Sequence, residues 1–338
     1  MKTPLALQLN YLNSLSFRLA LGVDRLDAQY RAETAAYIKS RAMPDGGFAG
    51  RKGRSDIYYT GFALRSLVLL GELKDDTLAG QTENYIRAFI QKKSGTMSMV
   101  ELTSVLMSTA LLDFARQRVF FETEKSQREF LIRELAPLQR PDSLWAAMPG
   151  KSPSGVYHTF LALLCREIVN LPPDEEEKKR IRTALERHKR DDGSFAEMAV
   201  LPFGATNPTA AAVALSRILQ EKDTGTPELE EESFDFIDKD RTVSFFKGMR
   251  TDEGGFRANR RIPFPDLLST FTTMVALLDL SDWNPAALAD WQKTERFIRT
   301  LRREGGYTGG VWDADPDVEY TFYALAANGI LAGLTGQN

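Results

Sequence analysis

Apolar positions along this chain fall into two alternating kinds of stretch. One is amphipathic, with apolar residues three and four apart among charges, as in ETAAYIKSRAM and KTERFIRTL. The other is apolar on nearly every side, as in GFALRSLVLLGEL and FYALAANGIL. The first pattern predicts a surface helix and the second a buried one. The unit of amphipathic helix, short loop and apolar helix recurs six times. The plainest copies are the first, joined through PDGGFAGRKGRSDIYYT, the fifth, TVSFFKGMRTDEGGFRANRRIPFPDLLSTFTTMVALLDL, and the last, joined through REGGYTGGVWDADPDVEYT. Equivalent loop positions at Gly46, Gly95, Ser143, Gly193, Gly254 and Gly305 fall about 50 residues apart, the period of a helical pair.

A lone pair cannot cover the apolar face of its second helix, so the copies must stack. Closing six pairs on themselves removes the need for capping repeats. The pattern therefore predicts an all-α fold, a closed α/α toroid of about six inner and six outer helices, as one domain over residues 1–338. The acidic insert EKDTGTPELEEESFDFIDKD, between copies four and five, reads as a solvated loop.

Composition narrows the chemistry. Lys+Arg 43 against Asp+Glu 46 gives a net charge of -3, without the basic field that nucleic-acid binding draws on. Cys165, His158 and His188 are the whole Cys and His inventory, which excludes an internal disulfide and leaves too little for a Cys/His zinc cage. Cys165 reads as core, and His188 as a cation at an outer-helix end. The opening stretch MKTPLALQLNYLNSLSFRLALG is interrupted by Gln8, Asn10, Asn13 and Arg18, and no run approaches membrane-spanning length. A soluble, cytoplasmic protein is expected.

Candidate site residues gather at the starts of the apolar helices. Asp56, Asp266 and Asp317 stand where a carboxylate caps a helix. If six such helices run in parallel, their positive ends converge on one mouth and favour an anionic head group there. Tyr58, Tyr59, Tyr157, Phe271, Tyr320 and Tyr323 lie at or near the same level and predict an aromatic pocket, with His158 as a hydrogen-bonding member. Arg51, Lys52 and Arg54 in the first loop, and Arg257, Arg260 and Arg261 in the fifth, are candidate phosphate contacts. In DADPDVE, Asp313, Asp315, Asp317 and Glu319 form a carboxylate cluster. Such a cluster can hold a proton for general acid catalysis, bind Mg2+, or simply cap and solvate a loop.

The GGF loops, SDIYYTGFALRSLVLLG, PDLLSTFTTMVALL and PDVEYTFYAL resemble the repeats of protein prenyltransferase β subunits, especially the Rab geranylgeranyltransferase type, over nearly the whole chain. Related repeats build the barrels of class II terpenoid cyclases. The resemblance implies an aromatic cavity for an isoprenoid diphosphate or polyene. It also implies a transferase zinc site at Asp266, Leu268 and Tyr320, where Leu has no donor atom and Tyr is a poor substitute for imidazole, so zinc is not expected. The family's diphosphate Arg corresponds to Arg260, while its His and Lys positions fall near Ala205 and Pro263. The cyclase motif Asp-x-Asp-Asp-Thr, anchored on Thr321, becomes Asp317-Val318-Glu319-Tyr320, which puts Glu319 at the proton-donor position. The expected activity is zinc-independent cyclisation or prenyl transfer to an acceptor other than a thiol. The alternatives are a diverged β-like subunit needing an α partner, and a barrel that binds isoprenoids without catalysis.

Overall fold

The computed structural model describes residues 10–220, 236–288 and 290–335. Six helical pairs follow a leading helix, α1 (Tyr11–Asp24). The pairs are α2 (Ala28–Ser40) with α3 (Ile57–Leu69), α4 (Asp76–Lys93) with α5 (Met99–Arg116), and α6 (Glu124–Leu135) with α7 (Val156–Ile168). They continue as α8 (Glu175–Leu185) with α9 (Thr206–Gln220), α10 (Lys239–Met249) with α11 (Leu267–Leu280), and α12 (Trp291–Thr300) with α13 (Val318–Thr335). The apolar helices pack in the order α3, α5, α7, α9, α11, α13 and back to α3, so the inner layer closes. The amphipathic partners form the outer layer. Two minimal antiparallel strand pairs interrupt the helical pattern in the last two loops: β1 (Phe256–Arg257) with β2 (Pro265–Asp266), and β3 (Arg302–Arg303) with β4 (Gly306–Tyr307).

Five of the six repeat loops are held by the same pair of bonds. The amide of a buried loop residue donates to a threonine hydroxyl one turn into the following inner helix: Phe48 to Thr60, Trp145 to Thr159, Phe195 to Thr209, Phe256 to Thr270 and Tyr307 to Thr321, all at 2.9–3.2 Å. The same hydroxyl donates to the carbonyl four residues earlier. The first of these bonds lies in the core in every copy, where an orphaned amide is costly. The loop positions Gly46, Gly95, Ser143, Gly193, Gly254 and Gly305 share one left-handed backbone, with φ between 72° and 99°. At Gly254 there is also no room, since a Cβ would lie 2.4 Å from the Lys293 backbone. Next to these turns a threonine of the following outer helix donates to the glycine carbonyl, as Thr82 does to Gly46, Thr242 to Gly193 and Thr294 to Gly254, each at 2.8 Å.

The ring closes through Arg302, paired with Glu33 of α2 at 2.6 Å, and through Arg51 of the first loop, which binds Asp313 and Asp317 of the last. The sequence pattern did not assign α1. It lies across the C-terminal ends of the inner helices. Glu167, in the last turn of α7, accepts from the Tyr11 and Leu12 amides, and Asp279 of α11 accepts from the Tyr11 hydroxyl at 2.9 Å. At its other end Gly22 meets Gly329 of α13 so closely that a Cβ on Gly22 would lie 2.1 Å from the Gly329 carbonyl oxygen.

Most of the acidic insert, 221–235, lies outside the described residues; its end belongs to α10, with Asp238 as the cap. His188 is not the expected cation. It is buried, its Nδ1 is 3.1 Å from the Ala196 carbonyl, and burial lowers its pKa. Cys165 is core, as expected, and burial pushes its thiol up to about 12.

Thr270→Val should cost about 1–3 kcal/mol in urea unfolding, because the buried Phe256 amide loses its acceptor. Ser143→Gly should instead raise stability by about 1 kcal/mol, since a left-handed backbone strains any residue with a Cβ.

Candidate functional site

A cavity of about 650 Å3 runs through the middle of the inner ring, with α1 as its floor. This volume suits a single small ligand. Its lining is apolar over most of its length and aromatic toward the N-terminal ends of the inner helices. There Phe62 meets Tyr58 edge-on at 4.9 Å and Tyr323 at 5.3 Å, while Phe271 stacks on Tyr323 at 5.4 Å. At the opposite end Phe17 of α1 and Phe114 of α5 border the cavity while 57% and 69% exposed, so it reaches the surface through an apolar rim.

Glu319 sits in the first turn of α13 and accepts from the Tyr58 hydroxyl at 2.6 Å. Burial pushes its carboxyl up to about 7, against hydrogen bonds from Tyr58 and Tyr323 that favour the ionised form; Asp317 nearby adds to the rise. The two tyrosines line the cavity and stand between it and Glu319. Burial raises the Tyr58 phenol, as does its carboxylate partner, and burial raises Tyr157, also in the wall, to about 12. All three phenols are therefore neutral donors.

The other carboxylates of DADPDVE have different partners. Asp313 and Asp317 bind Arg51, Lys52 lies 3.6 Å from the exposed Asp315, and Asp317 also caps α13 through the Tyr320 amide. Among the described residues no group of three or more His, Cys, Asp and Glu side chains is disposed to hold a metal ion. At the positions that correspond to the transferase zinc site the side chains are otherwise engaged. Asp266 gives its oxygens to the Ser269 amide and hydroxyl at 2.7 Å, Leu268 faces the cavity with no donor atom, and Tyr320 packs its ring on Gly309. One capping carboxylate does not make a zinc site.

The mouth is not an open anion rim. Four inner-helix N-termini are already met by acidic side chains: Asp56 at α3, Glu197 at α7 through the Tyr157 amide, Asp266 at α11 and Asp317 at α13. Arg260 is paired with Asp192 at 3.1 Å in an exposed position, and Arg261 lies over the Phe203 ring at 3.8 Å; neither lines the cavity. Tyr59 is also outside the lining, its ring packed on Gly50. His158 stands at the start of α7 with its Nδ1 2.8 Å from Glu197. The structure thus gathers Tyr58, Tyr157, Phe271, Glu319 and Tyr323 around one end of the cavity, and leaves Arg260, Arg261, Tyr59 and Asp315 apart from it.

Arg65 and Glu197 are site features that pattern reading missed. Arg65 announced itself faintly, as the one charge inside the apolar run GFALRSLVLLG. Glu197 lies in a loop, and nothing in its surroundings along the chain indicates that it reaches α7.

The closed ring of helical pairs and the cavity within it agree with comparisons to known proteins. A model of the prenyltransferase alpha-alpha toroid domain matches residues 5–105, 96–256 and 224–338. The chain belongs to this family. No curated protein sequence matches it. Among solved structures, the toroid is similar to protein geranylgeranyltransferase-I from Candida albicans complexed with GGPP, with a TM-score of 0.65 at 12% identity over 88% of this chain and 90% of that one. It is also similar to an unsaturated glucuronyl hydrolase specific for heparin, with a TM-score of 0.60 at 12% identity over 95% and 98% of the two chains. The type II terpene cyclase MstE from Scytonema gives a TM-score of 0.54 at 11% identity over 94% and 98%. At such identities the likeness is one of fold. Among the described residues of this toroid, no helix is long and apolar enough to cross a membrane.

The Glu319 carboxyl makes stability pH-dependent in a defined direction. Its folded pKa of about 7 exceeds the ordinary 4.5, so the folded state binds the extra proton and stability falls as pH rises through that window. Asp279, which burial pushes up to about 6, acts with the same sign. Glu319→Gln should remove up to about 3 kcal/mol of the stability difference between pH 4.5 and pH 8, read from urea unfolding at the two values.

Proposed function

We propose that this protein binds an isoprenoid chain in the central cavity and processes it without zinc, through acid-initiated chemistry at the Tyr58 and Tyr323 end. The observation that carries this reading is the Glu319–Tyr58 pair: a carboxyl raised to about 7 and bonded at 2.6 Å to a phenol that borders an apolar, aromatic cavity. At neutral pH a substantial fraction of Glu319 is protonated. In that state its proton passes to the Tyr58 oxygen while the phenol proton moves to a double bond of the chain, leaving Glu319 ionised and a carbocation in the cavity. The ring faces of Phe62, Phe271 and Tyr323 stabilise such a cation. Attack by a second double bond closes a ring, or attack by an acceptor's hydroxyl adds the acceptor to the cationic carbon; loss of a proton to Glu319 then restores the acid. Magnesium at DADPDVE would compete with Arg51 and Lys52 for the same oxygens.

The structural neighbours support the substrate class. The geranylgeranyltransferase is complexed with GGPP, and MstE has been captured with geranylgeranyl dihydroxybenzoate as substrate. A sugar substrate, suggested by the glucuronyl hydrolase likeness, needs many hydrogen-bonding groups, and this cavity offers few. A thiol-prenylating β-like subunit needs the zinc donors that Leu268 and Tyr320 do not supply. The second reading, a non-catalytic isoprenoid-binding barrel, is favoured by one observation: Glu319 reaches the cavity only through its tyrosine partners.

Incubation of the protein with geranyl, farnesyl and geranylgeranyl diphosphates and with the corresponding alcohols and carboxylates, followed by phosphatase treatment and extraction, should yield new cyclic alcohols or acids. The rate should fall above pH 7 as Glu319 ionises, and Glu319→Gln should lower it at least a hundredfold. Binding without turnover would establish the carrier reading, and absence of both would exclude the isoprenoid assignment.

A further inference from the structure

Arg65 lies in the middle of α3, in the wall of the cavity. Its guanidinium stands over the rings of Phe62 and Phe322, at 4.9 and 5.9 Å from their centroids. Among the described residues it makes no ion pair and no hydrogen bond, and its Nε is buried without a partner. Arginines near the ends of inner helices are, by contrast, paired: Arg51 with two aspartates, Arg116 with Asp76 and Glu83, Arg166 with Glu177. A half-buried cation facing an apolar cavity without a counter-ion is unfavourable, and removal from water lowers the pKa of Arg65 accordingly. Ring faces compensate only in part.

We infer that Arg65 is the head-group site of the cavity, and that the ligand is an isoprenoid carrying a single negative charge, a carboxylate. This inference rests on the reading of the cavity as an isoprenoid site. Three observations set the head group. Arg65 is the one cation among the described residues lining the cavity, and the one anion there, Glu167, holds the N-terminus of α1. One guanidinium neutralises one charge, which fits a carboxylate and leaves most of a diphosphate's charge unmatched in an apolar enclosure. The terminal nitrogens of the guanidinium, unlike the enclosed Nε, stay accessible and unbonded, and their edge can pair end-on with a carboxylate through two parallel bonds.

The surroundings point the same way. The mouth of the barrel, where a diphosphate would meet helix N-termini, carries four acidic side chains on those termini. The candidate diphosphate contacts Arg260 and Arg261 lie outside the cavity. Around Arg65 the phenols of Tyr58, Tyr157 and Tyr323 are close enough to feel its charge; Tyr58 and Tyr323 donate to Glu319, which leaves the neutral Tyr157 phenol as the donor to a carboxylate. A fixed cation here opposes a carbocation formed beside it, and a bound carboxylate cancels that opposition. The ligand would thus supply the missing counter-charge itself.

The test is equilibrium binding to the full chain at pH 8, by titration calorimetry, of geranylgeranoate, geranylgeraniol, geranylgeranyl diphosphate and the straight-chain arachidate. Wild type should bind geranylgeranoate at least about tenfold more tightly than geranylgeraniol, as a charge-assisted pair requires. Arg65→Met should remove that preference while keeping or improving the affinity for the alcohol, and Arg65→Lys should retain part of it. If Arg65→Met fails to fold, judged by circular dichroism, the wild-type comparison of acid with alcohol decides alone. Equal affinity of wild type for acid and alcohol, or tighter Arg65-dependent binding of the diphosphate, would overturn the inference. So would equal weakening of acid and alcohol in a folded Arg65→Met variant. Arachidate binding as well as geranylgeranoate, with the same dependence on Arg65, would uphold the carboxylate site and overturn the isoprenoid reading. Alcohol binding with no preference for the acid would do the reverse, and binding of none of the four would overturn both.

Discussion

Five copies of one buried hydrogen bond, from a loop amide to the threonine of the next inner helix, hold this toroid to its shape. The bond fixes where each inner helix begins relative to the turn before it. Because the same hydroxyl also donates to the carbonyl four residues earlier, the start of the helix and the end of the loop cannot move separately. The left-handed turn residue then seats each loop against the next outer helix. Repetition makes the cavity wall regular. Tyr58, Tyr157, Phe271 and Tyr323 come from four repeats, yet all face one end of the same space.

Charge is distributed along the barrel axis in a way its helices alone would not produce. Parallel inner helices direct positive dipole ends to one mouth, which by itself would invite an anion. Here the chain supplies the anions, with Asp56, Glu197, Asp266 and Asp317 on the helix ends and Arg51 tied to the last loop. The mouth is thereby neutralised and the ring stitched shut. The unbalanced charge lies inside instead, at Arg65. Burial acts on both groups in the upper cavity by the same rule, raising the Glu319 carboxyl and lowering the Arg65 guanidinium, because each resists carrying charge away from water.

The toroid was legible because its determinants are local and repeated. Apolar periodicity marks the inner helices, and the turn residue recurs even where the glycine is missing, at Ser143, whose φ of 72° matches its counterparts. The aromatic wall was legible for the same reason, since helix-start positions map to one level of a closed ring. Partnerships across the ring were not. That Glu197 meets the α7 N-terminus, that Arg260 turns to Asp192, and that α1 folds back under the barrel all depend on contacts between residues distant along the chain, which no periodicity records. Arg65 was overlooked because a lone charge in an apolar helix is indistinguishable, in sequence, from one that reaches solvent.

The same fold serves a heparin-specific glucuronyl hydrolase and a terpene cyclase, so the ring itself selects no chemistry. Selection lies in what lines it. A sugar site must offer a partner to each hydroxyl it strips of water, and a cavity walled by Phe62, Val100, Met107, Leu164, Val275 and Phe322 would leave those hydroxyls unpaired. A hydrocarbon chain makes no such demand, and gains about 25 cal/mol for each Å2 it removes from water. The few polar groups then become decisive. A chain bound by apolar contact alone could slide along the axis, whereas the proposed charged contact at Arg65 would fix its depth and so decide which carbons stand opposite the Glu319 pair.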